Sequence, residues 1–84
     1  MKNIGYLVKN KVESKKVWKY FFNKGVYWKY KEKGEQNIII GNRGSVIYED
    51  CGRLNYWVCQ TKFELMKISE RVEIKEFNNR KLKI

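Results

Sequence analysis

Eighty-four residues make a single domain near the lower size limit for folding without a metal or disulfides. Thirteen aromatics with no alanine and no proline imply a core built by dense ring burial, and they favour sheet over a helix bundle. A net charge of +10 with no histidine removes the commonest general base and points to an acidic partner.

Residues 3–9, NIGYLVK, read as a first strand. Ser14 then reads as a helix N-cap, followed by an apolar stripe of Val17, Trp18, Phe21 and Phe22. Lys15, Lys16, Lys19 and Asn23 fall on the opposite side, and Gly25 marks the stop. Residues 26–33, VYWKYKEK, alternate as a strand with Val26, Trp28 and Tyr30 on one face and Tyr27, Lys29 and Lys31 on the other. Lys33, Gly34 and Glu35 make a turn, and residues 37–41, NIIIG, read as a short apolar strand.

The tetrapeptide Gly41-Asn42-Arg43-Gly44 is a hairpin-turn signal. Residues 45–50 return as a strand, Cys51-Gly52 turns again, and residues 53–60 form the next sheet segment. Residues 61–69 open with the capping-box pattern Thr61 to Glu64, which favours a short helix but leaves continuation of the strand open. Residues 71–77 alternate like a further strand, and residues 78–84 read as a flexible basic tail. The expected fold class is α+β. One amphipathic helix packs on an antiparallel meander in the order β-α-β-β-β, with a possible short C-terminal helix or strand, all in one domain spanning residues 1–84.

The charge is unevenly placed. Residues 1–33 carry ten lysines and two glutamates, residues 34–70 four basic and five acidic groups, and residues 71–84 five basic and two acidic. Depletion of acid in the first third makes a nucleic acid, a nucleoprotein or an acidic protein face the leading partner class. No apolar run approaches the roughly 18 residues of a membrane span, and residues 1–12 are too polar for a signal peptide, so an intracellular, cytoplasmic protein is expected.

The sequence holds few parts for catalysis. Without histidine there is no Ser-His or Cys-His pair, and no GxGxxG or phosphate-binding GxxxxGK loop is present. Cys51 and Cys59 cannot make a zinc site by themselves; Cys59 reads as core packing and Cys51 as an exposed turn residue. No enzyme activity, metal or cofactor is expected.

The positive signal is the stretch 15–31, where seven aromatics are interleaved with six lysines. With the helix on one face of the sheet, Tyr27, Lys29 and Lys31 lie on the other, and Trp57, if it looks the same way, completes an aromatic platform for single-stranded nucleic acid. Arg43 and Arg53 would add planar phosphate contacts. Lys15, Lys16 and Lys19, with Lys11 and Lys24 near the helix ends, form a second basic face suited to a backbone but not to base reading.

The run from strand through amphipathic helix into Gly25, Val26, Tyr27 and Trp28, with Val17, Phe21 and Phe22 before it and Ile38, Ile39, Ile40 and Tyr48 after it, resembles small accessory proteins of bacteriophages and prophages of low-GC Gram-positive bacteria. The likeness covers about residues 4–60 and consists of core positions. It implies a stoichiometric binder that redirects or blocks a host machine, including defence complexes such as CRISPR nucleases. The basic charge departs from those inhibitors that mimic DNA, and a mimic is excluded. The expected function is therefore a non-enzymatic accessory or anti-defence factor that binds nucleic acid or a host nucleoprotein complex. The alternatives are an inhibitor docking on an acidic host protein, or a sponge for a small anionic nucleotide; a homodimer is possible in each case.

Overall fold

The structure, a computed structural model, describes residues 3–29 and 38–76. Alternating side chains in Asn3–Val8 give the first strand, β1, as expected. The first helix, α1, spans Lys11–Asn23 and begins a full turn earlier than Ser14 would allow. Asn10 is the cap. Its side chain accepts the Glu13 N–H at 2.9 Å, and Glu13 Oε1 accepts the Lys9 N–H at 2.8 Å. The first bond satisfies a donor that a helix start leaves orphaned, and the second ties down the residue before the cap. Ser14 is instead buried on the same face as Val17, Trp18 and Phe21, where its small side chain extends the stripe.

The helix ends as read. Gly25 takes a left-handed φ of 83°, donating to the Phe22 carbonyl, while the Val26 N–H reaches back to Phe21. This paired closure strongly favours a residue without a Cβ. The chain then passes the sheet edge through Trp28, which makes one parallel bridge to Leu54. The strand expected over 26–33 is thus a single bridge in residues 26–29; its remainder, with the turn at 33–35, lies outside the described residues. Burial of the Trp28 ring holds the segment, so no ladder is needed.

The strand expected at 37–41 does not form over the described residues 38–40. Ile38 dives into the core, Ile39 is exposed, and the Ile39 carbonyl accepts the Ser45 hydroxyl at 2.6 Å instead of a ladder bond. The turn at Gly41–Gly44 is present, closed by the Gly44 N–H on the Gly41 carbonyl at 2.9 Å. Strands β2 (Ser45–Asp50) and β3 (Arg53–Val58) follow, joined at Cys51 and Gly52, both at positive φ as a twisted two-residue hairpin requires.

Thr61 and Glu64 do form a capping box, and they start the second helix, α2, Lys62–Ser69. Strand β4, Val72–Glu76, closes the order β-α-β-β-α-β. The fold is α+β, but the sheet is mixed and not a simple meander. Its order is β3-β2-β1-β4, with β4 parallel to β1 and the other neighbours antiparallel. A parallel partner requires a crossover, and α2 supplies it.

Two cores result, one on each face. Val8, Val17, Trp18, Phe21, Trp28, Ile47 and Leu54 are buried between α1 and the sheet. Val46, Tyr48, Cys59, Ile68 and Val72 are buried on the side of α2. The single-helix layout expected from sequence left one sheet face free; α2 covers part of it.

Candidate nucleic-acid interface

The burial of Val17, Trp18 and Phe21 against the sheet fixes which way the rest of α1 looks. Lys11, Lys15 and Lys19 are exposed, and Lys16 is half-buried at their flank. At four-residue steps the first three stand on one side of the helix, each about 6 Å further along the axis. Phe22 follows Lys19 by three residues and Lys15 by seven, so the ridge runs into an aromatic end.

That aromatic end is built by stacking outward from the core. Trp18 and Phe22 have ring centroids 4.9 Å apart, and Phe22 and Tyr27 are 5.1 Å apart. Tyr27 is the outermost ring of the three and is 57% exposed. Its backbone is pinned to the sheet edge: the Leu54 N–H donates to the Tyr27 carbonyl at 2.7 Å, and the Lys29 N–H to the Leu54 carbonyl at 2.8 Å. Between them Trp28 points inward, edge-on to Tyr56 at 5.9 Å. Its buried indole N–H has no acceptor among the described residues. Tyr27 and Lys29 are both exposed, as the alternation predicts, and the contact of Tyr27 with Phe22 sets that ring beside α1 and not across the sheet from it.

Trp57 does not join them. It pairs with Val46 and packs half-buried on the α2 side, so the sheet separates it from Tyr27. Arg53 is exposed on that same α2 side, at the start of β3 opposite Asp50. Arg43 is exposed in the turn whose next residue, Gly44, lies against the Val8 carbonyl, at the end of the sheet where α1 begins. Lys31 lies outside the described residues. Of the nine residues read as a binding surface, Lys15, Lys16 and Lys19 share α1 and Tyr27 joins its aromatic end through Phe22, with Lys29 exposed two residues further along the chain.

A polar group on the other flank of α1 was missed as a site. The Lys24 ammonium lies 4.4 Å from the Tyr20 ring centroid, and the Tyr20 phenol hydrogen-bonds it, which raises the amine above the ordinary lysine value. Tyr6 meets Tyr20 edge-on at 6.1 Å, and burial, then Tyr20, pushes its phenol above the usual range. Lys75 opposes Tyr6 in the β1–β4 register and is exposed on the same side. The four-residue step from Tyr20 to Lys24 was visible in the sequence; the arrival of Tyr6 and Lys75 needed the sheet.

The α1 side thus carries lysines from the helix ridge to the β4 edge, where Glu73, opposite Ile4, stands on the same side as Lys75. Glu13, the acidic residue of α1 itself, is engaged at the helix cap. It also lines a cleft of about 190 Å³ with Leu7, Lys9 and Glu76, at the end of the sheet where α1 begins. Among the described residues no group of three or more Cys, Asp or Glu gathers as a metal site, and no helix is long and apolar enough to cross a membrane. No family model, curated protein or solved structure matches the chain.

Proposed function

We propose that the protein is a non-enzymatic binder of single-stranded nucleic acid, bare or held in a host nucleoprotein complex, acting as the accessory or anti-defence factor its resemblance implies. The observation that carries this reading is the junction of the lysine ridge of α1 with the projecting ring of Tyr27. Lys11, Lys15 and Lys19 follow a phosphate backbone, and one base stacks on Tyr27 with Lys29 beside it. None of these groups is placed to read a set of base edges, so binding is without sequence preference.

Fluorescence anisotropy with labelled single-stranded RNA, single-stranded DNA and duplex tests it. Three to four phosphate contacts make binding about 20- to 50-fold weaker when salt rises from about 50 to 200 mM. Tyr27→Ala removes roughly 1–3 kcal/mol of stacking. The triple change Lys15→Glu, Lys16→Glu, Lys19→Glu abolishes binding, and Arg53→Ala, on the other face, leaves it unchanged. Absence of binding at low salt overturns the reading. Equal loss from the Arg53 and Tyr27 variants reduces it to a generic polycation effect.

A further inference from the structure

The two edges of the sheet are treated differently. The β3 edge is covered, because residues 27–29 pair with Leu54 and the Asn55 side chain accepts the Tyr56 N–H at 2.8 Å. The opposite edge, β4, is paired on one side only: β1 lies inside it, and among the described residues nothing pairs outside it. An open strand edge is a template for another strand, and proteins that stay monomeric guard it with mismatched charge or distortion. Here the charges are neither random nor all of one sign.

We infer that β4 is a self-pairing edge, and that two copies of this chain join there antiparallel about a two-fold axis through Ile74. The sequence of β4 is Val72, Glu73, Ile74, Lys75, Glu76. Centred on Ile74, antiparallel pairing sets Glu73 of each copy directly opposite Lys75 of the other. Two opposite-charge cross-strand pairs form on the α1 side, and Ile74 meets Ile74 on the α2 side.

The alternatives are worse. Centring on Glu73 or on Lys75 sets that charge against itself, and centring between Ile74 and Lys75 brings Glu73 against Glu76. Parallel pairing in register sets each charge against its like. Of these pairings only the one centred on Ile74 sets both Glu73 and Lys75 against opposite charges, with Glu76 facing Val72, and its two-fold axis closes the pair.

That axis stands normal to the sheet, so both α1 helices lie on the same face of a continuous eight-stranded sheet. Each α1 packs over β1 and β2. The two helix axes are then about four strand spacings apart, roughly 19 Å. The floor between them holds Ile4, Tyr6, Glu73 and Lys75 from each copy. The inference rests on the sheet edge and stands whether or not α1 binds nucleic acid.

Sedimentation velocity on the full chain tests it. A five-residue strand pair is a small interface, so reversible dimerisation is expected in the range of about 10–100 μM. Glu73→Lys alone and Lys75→Glu alone each turn both cross-strand pairs into like charges and weaken the dimer by about tenfold or more. The double variant Glu73→Lys, Lys75→Glu restores it. The two single variants, mixed, form a heterodimer more tightly than either self-associates, a result that lost folding cannot mimic. A wild-type monomer at about 500 μM overturns the inference. So does a dimer indifferent to the single swaps, or one that neither the double variant nor the mixture recovers.

Discussion

The two faces of the sheet are packed by different means. On the α1 side the rings interlock, edge to face in Tyr6 with Tyr20 and Phe21 and in Trp28 with Tyr56, and tilted in Trp18 with Phe22 and Phe22 with Tyr27. On the α2 side the buried residues are mainly aliphatic, with Cys59 and Tyr48, and the helix that covers them has eight residues against thirteen. Large rings cover more surface than they can wholly bury, so the aromatic face ends in a projecting ring beside lysines. The aliphatic face ends on α2 itself, where Phe63 and Met66 stand exposed and Lys67 lies 5.7 Å from the Phe63 ring centroid. The aromatic layer thus carries its polar-aromatic surface out of the core through ring contacts, whereas on the other side the exposed ring and its lysine belong to α2 alone.

The largest test of that contrast is truncation of each core. Phe21→Ala on the aromatic side is expected to cost about 3–5 kcal/mol, and Ile68→Ala on the aliphatic side about 2–4, by urea denaturation. A Phe21→Ala loss smaller than that of Ile68→Ala would reverse the expected order of the two cores. Unfolding should also remain one transition in both cases, because both cores share β1 and β2.

The caps give a smaller effect and a sharper one. Asn10→Ala and Thr61→Ala are each expected to cost about 1 kcal/mol. Their reach differs. Loss of the Asn10 cap frees the first turn of α1, and hydrogen exchange should rise at residues 11–14 while Phe21 stays protected. Loss of the Thr61 cap should raise exchange along the whole of the shorter α2, which has a single fully buried anchor in Ile68.

The mildest probe is pH. Burial holds the phenols of Tyr6 and Tyr48 and the Cys59 thiol above their ordinary values of 10.0 and 9.0. A raised value in the fold means the neutral form is favoured there. The stabilisation is therefore complete below the ordinary value and is lost as pH rises through the folded one. The melting temperature should be level from about pH 6 to 8 and fall above about pH 9. Tyr6→Phe and Tyr48→Phe each flatten part of the fall, one from each face. A decline that neither substitution changes would place its cause outside the two cores.

Much of this was legible in the chain. Local signals were read correctly where a few neighbouring residues decide the outcome: the stripe of α1, the stop at Gly25, and the turns at Gly41–Gly44 and Cys51-Gly52; the capping-box pattern favoured α2 while leaving a continued strand open, and the helix is what forms. Ser14 misled because it satisfies the same cap preference as Asn10, and only the reciprocal bond of Glu13 chooses between them. The runs at 26–33 and 37–41 read as strands because burial and β-pairing favour the same residues, and their described parts include 26–29 and 38–40. Trp28 and Ile38 are buried, but their backbones make one bridge and none.

The sequence by itself determined the class of the fold, the lysine-bearing side of α1 and the outward alternation of Tyr27 and Lys29, since these depend on periodicity within one element. The tertiary structure decided which elements share a face. Trp57 went to the α2 side, Tyr6 and Lys75 came to the α1 side, and β4 became an edge, because strand order and parallel pairing are set by contacts between residues as far apart as Asn3 and Val72. Such pairings follow from how two cores close over one sheet, and no local pattern encodes them.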